Sequence, residues 1–399
     1  MGDTAARHSR GRSLRARSAG IAVCLAGLSV SAASGQQEQP PPTPTLAATN
    51  PGDLLHVESF PAPEGSKAWK IVYFSIGLSG EPITVSGLLI APDAPAPDGG
   101  RPIVAWAHPT TGVSESCAPS LFPDPWKKIP GLSELIGRGF VVAATDYPGL
   151  GMPGPHPYLI GESEARAVID SVRAARRIPE CGAGSRFAAW GHSQGGHAAL
   201  FAGQLAGAYA PELTLVGVAA IAPATDLEQL LKEDIGEELG RVLTAFAISS
   251  WSEVYNVSAD EVINPPARAV VRRVSRDCVE NILEGLKVEM DGWSLTPRFL
   301  KPAAYTRQPW RRILDENRPG QRPAGAPVYV AQGVEDKLVR PEVTSRFVDG
   351  LCARGERVTF EKLEHVNHLA AGFRSASSAI GWIADRFAGR PQTTTCPGP

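Results

Sequence analysis

The sequence has almost no net charge: 39 Lys and Arg stand against 41 Asp and Glu in 399 residues, leaving −2 at pH 7. That balance gives no electrostatic footprint for nucleic acid, and no DNA- or RNA-binding motif accompanies it. The longest apolar stretch near the N-terminus is too short to cross a bilayer as an ordinary helix. Cysteine is sparse, six residues in all, and none shows C-x-x-C or metal-ligand spacing, which excludes the usual zinc and dithiol patterns. There is no internal repeat. What the chain does have is 36 Pro and 41 Gly, which point to long ordered loops rather than a helical bundle. At 43% hydrophobic it can bury one large core or two modest ones.

Residues 1–35 read as a signal peptide. Arg7, Arg10, Arg12, Arg15 and Arg17 form a basic start, residues 21–30 an apolar centre, and Ala32-Ala33-Ser34-Gly35 a small-residue cleavage site. No adjacent Arg pair in this segment marks the twin-arginine route. Cys24 follows Val23 inside the apolar centre, where lipid attachment is disfavoured. Export to the cell envelope or beyond is expected, with cleavage near Gly35. Residues 36–52, rich in Pro, Gln and Thr, read as a linker. In an exported chain the remaining cysteines are expected in disulfides. A Cys352–Cys396 bridge would tie down the C-terminal segment, and a Cys117–Cys278 bridge would clip a later insertion to the body. Cys181 is then left free.

Strand signals recur along the chain. Residues 69–76 and 83–90 flank a Gly-Glu-Pro turn, as in an antiparallel hairpin. Residues 103–107, 140–145, 186–190, 215–221, 328–331 and 358–363 are short and continuously apolar, the pattern of a buried parallel sheet. Helical stretches lie between them at 161–177, 194–208 and 342–351. The expected fold class is therefore α/β, a mostly parallel central sheet with helices on both faces. The alternation breaks at about 227–325, where Phe246, Trp251, Tyr255, Trp293, Tyr305 and Trp310 accompany helix-like segments. That block reads as an inserted helical cap.

Gly191-His192-Ser193-Gln194-Gly195 fits G-x-S-x-G between a strand-like run and a helix-like run. A serine on such a sharp turn is exposed and strained, which suits a nucleophile. A serine hydroxyl needs a base within hydrogen-bond reach, and the base needs a carboxylate to fix its tautomer. Asp336, in the turn after residues 328–331, is the candidate acid, with Glu335 as its rival. His368, at the far end of the loop after residues 358–363, is the candidate base, with His365 as its rival. The N–H of Gln194 is a natural oxyanion donor, and Thr110, with Thr111 behind it, offers a second from the loop after residues 103–107. Pro109 cannot donate. His192 and His197 read as packing residues, while His56 and His156 have no supporting context.

With these residues placed, residues 53–396 resemble the secretory lipase family of α/β-hydrolases, the group that includes the yeast lipase A type. The likeness rests on the elbow, on Trp106-Ala107-His108 with Thr110-Thr111-Gly112, and on Cys117-Ala118-Pro119-Ser120. It continues through Thr145-Asp146-Tyr147-Pro148-Gly149-Leu150-Gly151, Ala222-Pro223-Ala224-Thr225-Asp226-Leu227 and the closing Trp382-Ile383-Ala384-Asp385-Arg386-Phe387-Ala388-Gly389. One departure is Pro109, where the family has Gly. The resemblance implies a secreted carboxylester hydrolase with a helical cap over an acyl tunnel, the same two disulfides, and no metal or organic cofactor. The aromatic, apolar insertion suits an apolar acyl ester as substrate, and transient contact with a lipid surface and a monomer are expected. An acyltransferase or a secreted serine peptidase would use the same three residues, and a catalytically dead binding protein would not need them.

Overall fold

A computed structural model describes residues 50–279 and 293–397. The expected signal peptide, residues 36–49 of the expected linker and residues 280–292 of the expected insertion lie outside these. Strands β1 (Leu54–Phe60), β2 (Ser66–Ile76) and β3 (Pro82–Pro92) open a nine-stranded sheet as an antiparallel meander. β4 (Arg101–Ala107), β5 (Val141–Thr145), β6 (Ala183–His192), β7 (Thr214–Ile221), β8 (Val328–Gly333) and β9 (Val358–Leu363) complete it in parallel. The strand order is β1-β2-β3-β5-β4-β6-β7-β8-β9, with β3 antiparallel to β5.

The central parallel strands are apolar where they cross the core because both faces of the sheet are covered there, while edge strand β9 carries Glu361 and Lys362. On one face, helices α2 (Gly161–Ala175) and α3 (Gln194–Tyr209) pack with Ile103, Ala105, Phe187, Ala189, Val328 and Val330. On the other, α1 (Leu132–Gly137) packs with the alternate residues Val104, Trp106, Ala188, Trp190, Tyr329 and Ala331. Trp106 and Trp190 meet edge to face at 4.9 Å, a contact worth about 1 kcal/mol beyond its buried area. This is the α/β-hydrolase architecture, and it puts the C-terminal ends of β6, β8 and β9 along one rim of the sheet.

Between β7 and β8 the chain leaves the sheet. Helices α4 (Leu227–Asp234), α5 (Glu238–Val254), α6 (Arg268–Val274) and α7 (Trp310–Glu316) share a core of their own built from Phe246, Trp251, Val262, Ile313 and Leu314. Tyr158 and Ile160 of the body enter that core. Among the described residues of this stretch the only β pairing is an isolated bridge between Ile263 and Leu300. The Cys117–Cys278 disulfide spans 161 residues and anchors the insertion beside the loop after β4. Loop-closure entropy makes such a bond worth about 4–5 kcal/mol against the unfolded chain. Cys352 and Cys396 are joined across 44 residues. Cys181 is free and buried, and burial pushes its thiol up to about 12, which keeps it an unreactive thiol. After β8, α8 (Pro341–Ala353) joins the α2–α3 face, while α9 (His368–Arg374) and α10 (Ala376–Phe387) follow β9.

The sheet has one strand more than the sequence pattern suggests. β1 lies at the sheet edge with its five central residues exposed. Nothing forces an alternation there, so no period-2 signal is written into residues 54–60.

Candidate active site

Ser193 stands at the junction of β6 and α3 with φ 58° and ψ −116°. A non-glycine residue held there stores about 1–3 kcal/mol of strain. The turn is affordable only because its neighbours lack side chains. A Cβ on Gly195 would lie 1.9 Å from the Ala107 carbonyl oxygen, and one on Gly191 would lie 2.1 Å from the Gly195 carbonyl oxygen. Ser193 N donates to the Ile221 carbonyl at 2.8 Å, which pins the turn to β7.

The structure brings three of the sequence candidates together. His368 Nε2 lies 2.8 Å from Ser193 Oγ, and His368 Nδ1 lies 2.7 Å from Asp336 Oδ2. Asp336 is 3% exposed and His368 6%. The carboxylate is held from several sides: Leu338 N and Val339 N donate to Oδ1 at 2.9 and 2.8 Å, and the Gln332 amide donates to Oδ2 at 3.0 Å. Thr344 Oγ1 donates in turn to Gln332 Oε1 at 2.7 Å. His368 opens α9, and Asn367 caps that helix by accepting from Ala370 N. The rivals, Glu335 and His365, contact each other at 3.1 Å with side chains 59% and 88% exposed, so they form a surface pair.

Of the oxyanion candidates, Gln194 directly follows this serine. Gln194 is the first residue of α3, and a first-turn N–H has no intrahelical acceptor. Thr110 follows β4 and its hydroxyl lies 2.9 Å from Tyr158 Oη. Thr111 is buried, its carbonyl accepting from Val279 N at 2.8 Å. Beside Ser193 is a cavity of about 40 Å³ lined by Leu227, Leu230, Leu243, Ala247 and Trp251. A second, open cleft of about 1110 Å³ reaches His368 and is lined by Glu237, Lys337 and Arg340 together with Trp293, Val334 and Leu369. Among the described residues no group of three or more His, Cys, Asp or Glu side chains could hold a metal ion.

Several buried polar residues had no distinct role in the sequence. His192 donates Nε2–H to the His368 carbonyl at 3.0 Å and so braces the start of α9. His156, His197 and Glu164 form a connected group behind Gln194. A signal for that group did exist. Glu164 sits on the apolar stripe of α2, in line with Ala167, Val168 and Ser171, where a carboxylate needs a buried partner.

Two of these rings make the fold sensitive to acid. Burial lowers His156 to about 4, and burial together with the neighbouring His368 lowers His192 to about 3. In the unfolded chain each ring titrates near 6.5. The unfolded state therefore takes up more protons between these limits. Both contributions are complete above about pH 6.5 and are lost as the pH falls toward 4 and 3. Asp170 works in the opposite sense: burial raises it to about 6, so its share improves as the pH falls from about 6 to 4. The two rings outweigh it, and the melting temperature is expected to fall steeply below pH 6. In His192→Asn the fall between pH 7 and 4.5 should be visibly smaller by differential scanning calorimetry. An unchanged slope would mean that His192 is not buried as a neutral ring.

The secretory lipase family model matches residues 130–395. The probable inactive lipase MT1628 of Mycobacterium tuberculosis is 24% identical over 344 residues, covering 83% of this chain and 76% of that protein. Lipase 10 of Candida albicans is 24% identical over 394 residues, covering 88% and 80%. Among solved structures, Candida antarctica lipase A aligns with a TM-score of 0.73 at 18% identity, covering 87% of this chain and 84% of that one. The rice cell wall degrading esterase LipA from Xanthomonas oryzae aligns with a TM-score of 0.70 at 23% identity, covering 85% and 98%. Likenesses this distant in sequence speak for the fold.

Proposed function

The chain belongs to the secretory lipase family, and from that premise we propose that it hydrolyses esters through an acyl-enzyme on Ser193. It is a serine ester hydrolase of the lipase and esterase kind. One relative is named an inactive lipase, so family membership alone does not supply the chemistry. The observation that carries the reading is the unbroken Ser193–His368–Asp336 hydrogen-bond chain, at 2.8 and 2.7 Å.

In this reading Ser193 Oγ attacks the ester carbonyl while His368 Nε2 takes its proton. Asp336 holds the Nδ1–H tautomer and stabilises the imidazolium. The N–H groups of Gln194 and Thr110 receive the oxyanion. His368 then protonates the leaving alcohol, and water repeats the sequence on the acyl-enzyme. Secretion is the family's habit, and removal of residues 1–35 before the enzyme acts fits the sequence.

The two cavities suggest how the substrate divides. The apolar slot beside Ser193 has about 40 Å³, a few times the roughly 10–15 Å³ that one water requires of a cavity. It suits the first few carbons of an acyl group. The 1110 Å³ cleft, whose lining mixes charged residues with Trp293, Val334 and Leu369, has room for the alcohol. In a p-nitrophenyl ester series from acetyl to palmitoyl, kcat/KM is expected to peak between acetyl and butyryl and to fall about tenfold or more by octanoyl, since an overfilled pocket costs about 1–3 kcal/mol. A peak at palmitoyl would reverse the assignment of the two cavities. In the same assay a fluorophosphonate should abolish turnover and label Ser193 alone in peptide mass spectrometry. Turnover that persists with Ser193 fully labelled would remove the acyl-enzyme.

A further inference from the structure

A fully buried polar chain lies behind the first turn of α3. Glu164 Oε1 accepts from Leu159 N at 2.9 Å and from the Gln194 amide at 2.8 Å. Glu164 Oε2 lies 2.8 Å from His197 Nδ1, and both side chains are 0% exposed. His197 Nε2 lies 2.9 Å from the Asn317 carbonyl. The Gln194 amide nitrogen also reaches His156 Nε2 at 3.1 Å, and His156 Nδ1 donates to the Pro148 carbonyl at 2.8 Å. Both neighbours of the Gln194 amide are therefore acceptors, which fixes its nitrogen toward them.

Counting protons constrains the pair. His197 faces an acceptor at each ring nitrogen, a carboxylate at one and a carbonyl at the other. A neutral imidazole donates from only one nitrogen. Both contacts close only if the pair holds one proton more than a carboxylate beside a neutral ring would. That proton lies between Oε2 and Nδ1, as imidazolium with carboxylate or as imidazole with carboxylic acid. Either way the pair is net neutral. Neutrality matters here, because a bare carboxylate against Gln194 would oppose a negative charge developing on the substrate.

Gln194 is tied through its side chain to α2 by Glu164 and to the loop after β5 by His156, and in the proposed mechanism its own N–H receives the oxyanion. Donors aimed at a developing oxyanion work because they are already in place when charge appears. We propose that Glu164 and His197 are positioning residues for the oxyanion hole, a proton-sharing pair that locks the Gln194 side chain and thereby its N–H. The lock extends into the insertion. Asn317, whose carbonyl faces His197, accepts from Gly161 N at 2.9 Å and donates to Tyr255 Oη at 3.0 Å. This inference rests on the assignment of the Gln194 N–H to the oxyanion, and the experiment separates the two.

The full chain is assayed with p-nitrophenyl butyrate, and rates are divided by active sites counted with a fluorophosphonate. In Glu164→Gln the amide oxygen can accept from Leu159 N and Gln194, and its NH₂ can donate to His197, so kcat per site is expected to stay within about threefold of the parent. In Glu164→Ala and in Gln194→Leu, which keeps the backbone N–H but deletes its anchors, kcat per site is expected to fall about 100-fold with KM unchanged. Affinity for a trifluoromethyl ketone, which forms a tetrahedral adduct with Ser193, should weaken by the same factor. If Glu164→Ala does not fold, Gln194→Leu decides. An unchanged kcat per site with only a lower melting temperature would overturn the proposal, and so would a Glu164→Gln variant as slow as Glu164→Ala. Activity surviving in Ser193→Ala would instead sink the triad itself. A dead Ser193→Ala beside a fast Gln194→Leu would sink the positioning role alone.

Discussion

Asp336→Asn is expected to lower kcat about 10⁴-fold while leaving the fold and KM nearly intact. The reason lies in which hydrogens surround the carboxylate. Oδ1 accepts from two backbone N–H groups, those of Leu338 and Val339, which cannot reorient. An asparagine must therefore turn its oxygen toward them and its NH₂ toward His368 Nδ1 and the Gln332 amide. The imidazole then has to accept at Nδ1 and carry its proton on Nε2, where it faces Ser193 Oγ and cannot serve as a base. The NH₂ also meets the Gln332 amide nitrogen, which donates to Asp336 in the parent at 3.0 Å. Flipping the amide to restore the His368 bond would set NH₂ against the two backbone donors. Neither orientation satisfies the site. Steady-state kinetics on a short-chain p-nitrophenyl ester, with near-ultraviolet circular dichroism as the fold control, measures the effect. A loss under about tenfold would mean that another group holds His368 in its tautomer, and the triad would need a different acid.

The same residues explain how far the sequence alone could be read. The elbow was legible because its chemistry is local: a strand, two glycines that cannot carry a Cβ, a serine and a helix are consecutive in the chain. Asp336 and His368 were legible at one remove, since each follows a buried strand whose apolar run is plain. What separated them from Glu335 and His365 is not local. Those two side chains lie one to three residues away and differ in burial, which only the packed rim decides. The insertion announced itself through its aromatic residues, yet no spacing says that Leu227 of α4 and Leu243 and Trp251 of α5 line the slot beside Ser193, because that depends on how two helices of the insertion pack over the elbow. Glu164 was the least legible. It lies 30 residues from Gln194 and 33 from His197, and its meaning depends on these two partners, which reach it only when α2 packs on α3. Edge strand β1 escaped for the opposite reason, being too exposed to carry any pattern.

Ser193→Gly is expected to abolish turnover, by about 10⁶-fold, and yet to make the protein more stable. The two effects come from the same atoms. At φ 58° and ψ −116° a residue with a Cβ stores about 1–3 kcal/mol, whereas glycine populates this region freely. Glycine also gives back some of that gain, because its unfolded chain has more conformational freedom, by about 0.5–1 kcal/mol. The hydroxyl's single hydrogen bond to His368 Nε2 at 2.8 Å is lost as well, at a net cost of about 1 kcal/mol or less. The balance favours the variant by about 0.5 kcal/mol, or roughly 1 °C in a domain of this size. Ser193→Ala is the control. It loses the same hydroxyl but keeps the Cβ, so it should be equally inactive and no more stable than the parent. Thermal unfolding of the three proteins at pH 7, where His156 and His192 are neutral in the folded state, isolates the backbone contribution. If Ser193→Gly melts at or below Ser193→Ala, the elbow stores no strain. The position of the Ser193 hydroxyl against His368 would then owe nothing to a backbone held out of its preferred conformation.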